Sequence, residues 1–492
     1  MPSQSRLRTG TPDTGRPREA CGIFGIFAPG EDVARISFFG LFALQHRGQE
    51  SAGIAAASRG GSISIHTSMG LVSQAFREGD LEALKGDIAI GHTRYSTMGA
   101  PKRANAQPIL ARGPNVTLAL GHNGNVINAS DLRNELTGWG LSFDGSSDSE
   151  VIAQLYANAP ARNWPDRSAY CMRRLRGAYS LVMMTGTELV GVRDPLGIRP
   201  LCLGKFGDGY VIASESCALD HIGAELIREI EPGETVVIDQ AGVHSFVWPG
   251  ARSQHAMCVF EHIYFARPDS ILDGKRAYAT RLAMGAELAR LHPVDVDLVI
   301  GVPDSATAAA VGYSRESGTP YGEGLVKNRY VGRTFIQPDQ KLRDLGVQLK
   351  FNPVPEAIAG KRLVVVDDSI VRGTTTPRVV KLLRKAGASE VHLRICAPPI
   401  ISTCHFGVDM GRMTELIAAQ RSVEQIRAFV GADTLGFLDM PGLMRAVDVD
   451  DNRYCRGCFT GIYPIPVQLD MDKLQLERPT AVAAPKPIGV RS

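Results

Sequence analysis

The segment LVVVDDSIVRGTTTPRVVKLLRKAG, Leu363 to Gly387, constrains the fold more than any other part of the chain. Its opening apolar run reads as a strand buried on both faces, and from Pro377 the pattern turns helical. A buried strand that leads directly into a helix is the unit of a parallel α/β sheet. Asp367 and Asp368 stand at the strand's C-terminal end, where open α/β sheets bind ligands. The SIVRGTTT loop adds hydroxyls, a glycine and backbone N–H groups before a helix that Thr376 is expected to cap, with Pro377 in the first helical position. Such a cluster of donors at a helix start suits a phosphate. Taken singly, the pieces also read as an acidic turn before a capped helix. Their combination favours a ligand site.

The neighbouring text keeps the same rhythm. RAYATRLAMGAELARLH (276–292) has helical period, DLVIGV (297–302) is strand-like, a small-residue helix is expected near 305–315, and EVHLRIC (390–396) reads as another strand. Upstream the grammar differs. SISIH (62–66), IAIGH (88–92), VTLALGH (116–122), YSLVMM (179–184) and YVIAS (210–214) are short β-like runs separated by Gly, Asn, Asp and Ser. ISFFGLFALQH (36–46) and SEVIAQLYANA (149–159) are helical, which predicts sheets covered by helices. The expected division is a leader at 1–20, one domain at 21–245, a second at 246–466 and a loose Pro-rich tail at 467–492.

With 44% hydrophobic and 21% charged residues the chain reads as globular. A net charge of +3 predicts neither nucleic-acid nor membrane binding without a local patch. The first residues lack the apolar core of a secretion signal. Arg6, Arg8, Arg16 and Arg18 suggest a mitochondrial presequence, but Pro2, Pro12, Pro17 and the glycines between them would break its helix, and Asp13 and Glu19 add acid. A cytoplasmic protein with an expendable leader is expected.

Cys21 follows that leader directly. A thiol is nucleophilic only once deprotonated, so it needs a base or a positive field. If the chain is cut before Cys21, the new α-amino group is that base, with an intrinsic pKa near ~7.7–8.0. CGIFGIF alone is weak evidence for this, and by itself reads first as a buried thiol. YCRGCFTG gives the pair Cys455 and Cys458, which reads as half a zinc site, a redox dithiol or chance. Cys171, Cys202, Cys217 and Cys396 read as buried thiols.

The 363–387 segment resembles the phosphoribosyl pyrophosphate motif of type I phosphoribosyltransferases. That resemblance implies that Asp367 and Asp368 meet the ribose hydroxyls and Mg²⁺, and that Ser369, Ile370, Val371, Arg372, Gly373, Thr374 and Thr375 wrap the 5-phosphate. Ser305, in GVPDS, matches a further Mg²⁺-linked position, although a hydroxyl there also suits a helix cap. The basic stretch 327–352 reads as a solvated loop or, by resemblance, as a flexible cover for pyrophosphate with Lys327, Arg329 and Arg333 as clamps.

CGIFGI, LQHRGQESAGI (44–54), GHTRYST (91–97), GHNGNV (121–126) and SSDSE (146–150) occur in the order found in class II glutamine amidotransferases, which the front half resembles. The resemblance implies an N-terminal-nucleophile hydrolase fold, an αββα sandwich, with Cys21 as nucleophile. Arg94 would take the glutamine α-carboxylate and Asp148 its α-ammonium, while Asn123 and the Gly124 N–H would form the oxyanion hole. HNGN also suits a plain turn, and Asp148 could cap a helix beginning near Glu150.

The contexts of Cys258, Cys404, Cys455 and Cys458 look like the iron-sulfur branch of the amidophosphoribosyltransferase family, in which four thiolates bind a 4Fe-4S cluster. Spacing alone does not separate this from zinc. The family resemblance as a whole implies an α+β glutaminase joined to an α/β phosphoribosyltransferase. It implies ammonia transfer from glutamine to phosphoribosyl pyrophosphate in purine synthesis, Mg²⁺, removal of the leader, inhibition by purine nucleotides and a homotetramer. Asparagine synthetase or glucosamine-phosphate synthase would need a different acceptor domain, and a catalytically dead regulator would not need Cys21, Arg94, Asn123 and Asp148 together.

Overall fold

The structure is a computed structural model that describes residues 21–58, 60–95, 102–251, 255–328, 351–447, 453–467 and 476. The leader, Arg329, Arg333, most of the basic stretch and nearly all of the tail lie outside the described residues.

Two antiparallel sheets are stacked in the first half. One holds seven strands among the described residues, in the order Glu225–Glu229, Cys202–Phe206, Gly209–Ala213, Gly22–Phe27, Ile88–Arg94, Ser51–Ala57, Ser64–Met69. The other holds six, in the order Gly242–Val247, Glu234–Asp239, Leu189–Arg193, Gly177–Met184, Thr117–Val126, Ile109–Arg112. Ile23, Ile90, Val182, Leu189 and Ile212 fill the space between the sheets. Helix Val33–Ala43 covers the first sheet, through Val33, Ala34 and Leu41. Helices Ala129–Gly138, Asp148–Ala157 and Trp164–Arg174 cover the second. The layers are therefore αββα, as expected.

This stacking explains why SAGIAAA forms a strand without alternating polarity. Every residue of Ser51–Ala57 is buried, because the sheet has apolar layers on both sides. Small residues suit that double contact.

In the second half, Leu298–Gly301, Arg362–Asp367, Glu390–Ile395 and Thr434–Phe437 form a parallel sheet in chain order. Val364 and Val366 face the core under helices Ala277–Leu291 and Thr307–Ser317, while Leu363 and Val365 face the one under Thr376–Lys385 and Val423–Val430. Asp367 is the last residue of its strand and Asp368 the next, so both stand at the sheet's C-terminal edge. The helix after the loop begins one residue earlier than the cap reading requires. Thr375 is the N-cap residue by position, its side chain making no capping bond, while Thr376 is already helical and buried and Pro377 follows it. No helix among the described residues is long and apolar enough to cross a membrane.

Candidate active sites

The central strand Gly22–Phe27 and its neighbour Ile88–Arg94 pair with Gly22 opposite Thr93. Cys21 therefore emerges beside Arg94 and Tyr95, at the end of the sheet. Its thiol donates to the Tyr95 carbonyl at 3.3 Å. A pocket at this point is lined by Cys21, Arg94, Tyr95, Gln107, His122, Gly124, Ser147, Asp148 and Ser149. Four of the expected residues, Cys21, Arg94, Gly124 and Asp148, thus come together from separate segments. Burial pushes the Cys21 thiol up to about 11, against the Tyr95 hydrogen bond and the Arg94 charge. At neutral pH it is a thiol in need of a base.

Arg94 lies 3.8 Å from Glu50. Asp148 is not the helix cap, since Ser147 accepts from the Glu150 N–H and caps Asp148–Ala157. The Asp148 carboxylate instead accepts from the Val126 N–H at 3.0 Å and lies 3.8 Å from Nδ1 of His122. Its side chain is buried at the first turn of a helix, the end at which the macrodipole favours negative groups.

Asn123 and Gly124 belong to a strand, Thr117–Val126, not to a free turn. The Asn123 side chain is fully buried, and neither its Oδ1 nor its Nδ2 has a hydrogen-bond partner. An orphaned buried amide is costly unless another molecule completes it. Gly124 has φ +148°, and a methyl group on it would stand 2.0 Å from the Ala178 carbonyl oxygen. Only glycine fits there.

Gln107, His122 and Ser149 were not anticipated. Gln107 accepts from the His122 N–H at 2.8 Å and donates to Ser149 Oγ at 3.0 Å, and His122 Nδ1 meets the same hydroxyl at 3.0 Å. Burial lowers the His122 pKa, so the ring is neutral. His122 stands in the same GHNGNV run as Asn123, and Ser149 in SSDSE beside Asp148. Gln107 had no such signal.

The second site sits on the parallel sheet. Ser305 donates to Asp368 Oδ2 at 2.5 Å and Ser369 to Oδ1 at 2.6 Å, while Asp367 Oδ1 accepts from the Asp368 N–H at 2.9 Å. Helix Thr307–Ser317 has Ala306 as N-cap, so Ser305 is free of the capping role. Two adjacent buried carboxylates with hydroxyls around them fit Mg²⁺, which takes one or two carboxylates and fills the rest of its shell from substrate and water. In the loop, Ile370 and Val371 point their side chains into the cores, leaving only their backbone to meet a ligand. The Thr374 hydroxyl is buried without a partner, and Arg372 pairs with Glu415 at 3.3 Å. Lys327 ends strand Leu325–Lys327 and donates to Asp304 at 2.6 Å, which puts it on the GVPDS loop beside Ser305.

The four singled-out cysteines also meet. Cys258 and Cys455 are register partners in a parallel two-stranded pair. The Cys458 carbonyl accepts from the N–H groups of Ile401 and Ser402, which brings in the segment bearing Cys404. The thiols of Cys258, Cys455 and Cys458 are raised first by burial, and each also feels Cys404. Among the described residues, no three His, Cys, Asp or Glu side chains are gathered closely enough to hold a single metal ion. Cys171, Cys202, Cys217 and Cys396 are buried, as expected of neutral thiols.

The chain is similar to known proteins over nearly its whole length. Residues 92–221 match the glutamine amidotransferase domain model. An amidophosphoribosyltransferase from Synechococcus elongatus is 49% identical over 474 residues, covering 95% of this chain and 96% of that protein. One from Archaeoglobus fulgidus is 48% identical, covering 91% and 98%. A solved structure of the glutamine phosphoribosylpyrophosphate amidotransferase from B. subtilis, complexed with ADP and GMP, superposes with a TM-score of 0.86 at 46% identity, covering 92% and 99%.

Proposed function

The chain belongs to the amidophosphoribosyltransferase family, and from this premise we propose how its two sites divide the work. It transfers ammonia from glutamine to phosphoribosyl pyrophosphate, giving 5-phosphoribosylamine, glutamate and pyrophosphate, the first committed step of purine synthesis. The observation that carries the division is the pocket in which Cys21, Arg94, Gly124 and Asp148 converge.

Removal of residues 1–20 exposes the Cys21 α-amino group, which takes the thiol proton. Sulfur attacks the glutamine amide carbon, with the α-carboxylate on Arg94 and the α-ammonium on Asp148. Asn123 Nδ2 and the Gly124 N–H stabilise the oxyanion. Collapse of the tetrahedral intermediate expels ammonia, the proton coming from the α-ammonium of Cys21, and water then hydrolyses the γ-glutamyl thioester. Ammonia must travel inside the protein, because in bulk water near neutral pH it is mostly ammonium, which has no lone pair to give.

At the second site ammonia attacks C1 of phosphoribosyl pyrophosphate and pyrophosphate departs. Asp367 and Asp368 orient the ribose, the 369–375 loop holds the 5-phosphate, and Lys327, Arg329 and Arg333 serve the pyrophosphate. Asp367, Asp368 and Ser305 would hold Mg²⁺, which offsets charge on the leaving group. Cys258, Cys404, Cys455 and Cys458 would hold a 4Fe-4S cluster that ties three segments of chain together. The same reading makes the protein a cytoplasmic homotetramer inhibited by purine nucleotides. Support for that inhibition comes from the ADP and GMP named with the B. subtilis relative.

The test is Cys21→Ala. Pyrophosphate release should vanish with glutamine and persist with ammonia, and intact mass should show wild-type chains beginning at Cys21. Loss of both activities in a folded protein would refute the two-site division.

A further inference from the structure

The oxyanion strand Thr117–Val126 is held by its own sheet on one side and by the second domain on the other. Asn125 Nδ2 donates to the His405 carbonyl at 2.8 Å. A methyl group on Gly407, where φ is +102°, would stand 2.9 Å from the carbonyl carbon of Gly124, 3.0 Å from its oxygen and 3.1 Å from its Cα. The two glycine backbones are thus in direct contact. The segment between is fixed as well, because the Phe406 carbonyl accepts from Nε and Nη2 of the buried Arg199 at 3.1 and 2.9 Å. The Asn123 side chain has no hydrogen-bond partner of its own to orient it, so its direction depends on the backbone that carries it.

We propose that the His405–Gly407 segment of the second domain positions the oxyanion hole of the first, with Gly407 as the positioning residue behind Gly124. This rests on the assignment of Asn123 and Gly124 to that hole. Glutamine hydrolysis then depends on how the second domain is docked as well as on the residues of its own pocket. Gly407 touches neither substrate. It acts by keeping the Gly124 peptide from shifting away from the developing oxyanion, and displacement of such a donor by an ångström is enough to cost most of its effect.

The experiment uses the processed full-length protein with Gly407→Ala and, independently, Asn125→Asp, which places a carboxylate against the His405 carbonyl. Asn123→Ala is run alongside. Expected for both test variants is a fall of about 10- to 100-fold in kcat for glutamine hydrolysis. Competitive inhibition by glutamate, which reads the Arg94 and Asp148 contacts, should stay within about twofold, as should ammonia-dependent pyrophosphate release. If Gly407→Ala fails to fold, Asn125→Asp decides. Full kcat in the test variants with loss in Asn123→Ala would overturn the positioning role and leave the oxyanion hole standing. Full kcat in Asn123→Ala would overturn the assignment beneath it. Glutamate binding lost in step with kcat would also overturn the proposal, because it marks a collapsed pocket.

Discussion

Arg199 donates from Nη1 to Glu261 at 3.1 Å, with both side chains wholly out of contact with solvent. Glu261 also accepts from Arg47 Nη2 at 2.5 Å, and Arg47 in turn bonds Glu215. Two guanidinium groups and two carboxylates thus form a neutral buried chain between the first-half residues Arg47, Arg199 and Glu215 and Glu261 of the second half. Burial alone would raise the Glu215 carboxyl, yet Arg47, His46 and Ser270 hold it well below the usual range. Removing one member leaves its partners charged and dry. Glu261→Gln should destabilise the protein by about 3–5 kcal/mol, seen as a lower urea midpoint at fixed protein concentration. An unchanged midpoint would mean that water reaches the arginines.

Ser305 and Ser369 occupy both oxygens of Asp368, and this fixes the carboxylate's orientation across the strand ends. Ser305→Ala removes a hydrogen bond to a charged group, worth about 1.5–3 kcal/mol. The KM for phosphoribosyl pyrophosphate should rise about tenfold with either nitrogen donor, and more Mg²⁺ should be needed for half-maximal rate. Glutamine hydrolysis measured without phosphoribosyl pyrophosphate should not change. A KM effect confined to the glutamine reaction would place Ser305 elsewhere in the cycle.

The parallel-sheet unit was legible because strand, acidic end, loop and helix follow one another in the chain, so local rules apply. The glutaminase residues were legible only as a resemblance, since Cys21, Arg94, Asn123 and Asp148 meet through sheet stacking that no local period reveals. Asp148 shows the limit of a local reading, because its place before an acidic helix start suits a cap as well as a ligand contact. The structure gives the cap to Ser147. Thr376 failed as a cap for a related reason: the helix starts one residue sooner and buries that side chain. Gly407 could not be found at all by such means. Its contact with Gly124 joins segments that the Asn125–His405 bond shows to be 280 residues apart. Strand Thr434–Phe437 was also missed, being too short to show a period.

Glu229 ends strand Glu225–Glu229, and its carboxyl is raised to about 7, first by burial and then by Asp273, against the pull of Arg193. Its folded pKa lies above the unfolded carboxylate value, so the folded state binds the proton more tightly. That contribution is complete below about pH 4 and is lost as pH rises toward 7. Glu229→Gln should therefore raise stability by about 1–3 kcal/mol at pH 8 and by little at pH 4.5, with urea midpoints as the measure. Equal effects at both pH values would show that Glu229 is ionised in the fold throughout.

Cys258 and Cys455 are held side by side by backbone pairing, and Cys458 is fixed through Ile401 and Ser402 to the segment that carries Cys404. Backbone pairing rather than a disulfide brings Cys258 and Cys455 side by side. Burial raises the thiols of Cys258, Cys455 and Cys458, so metal binding at this site should release protons. Protein purified anaerobically should contain iron and acid-labile sulfide in equal amounts, and Cys455→Ser should lose both together. Stoichiometric zinc without sulfide would decide for a mononuclear site. The parallel pair Met257–Cys258 and Tyr454–Cys455 should remain in the metal-free protein, protecting its amides from hydrogen exchange while the Cys404 segment opens first, because Cys404 is the one thiol of the four not held by a strand or helix of its own.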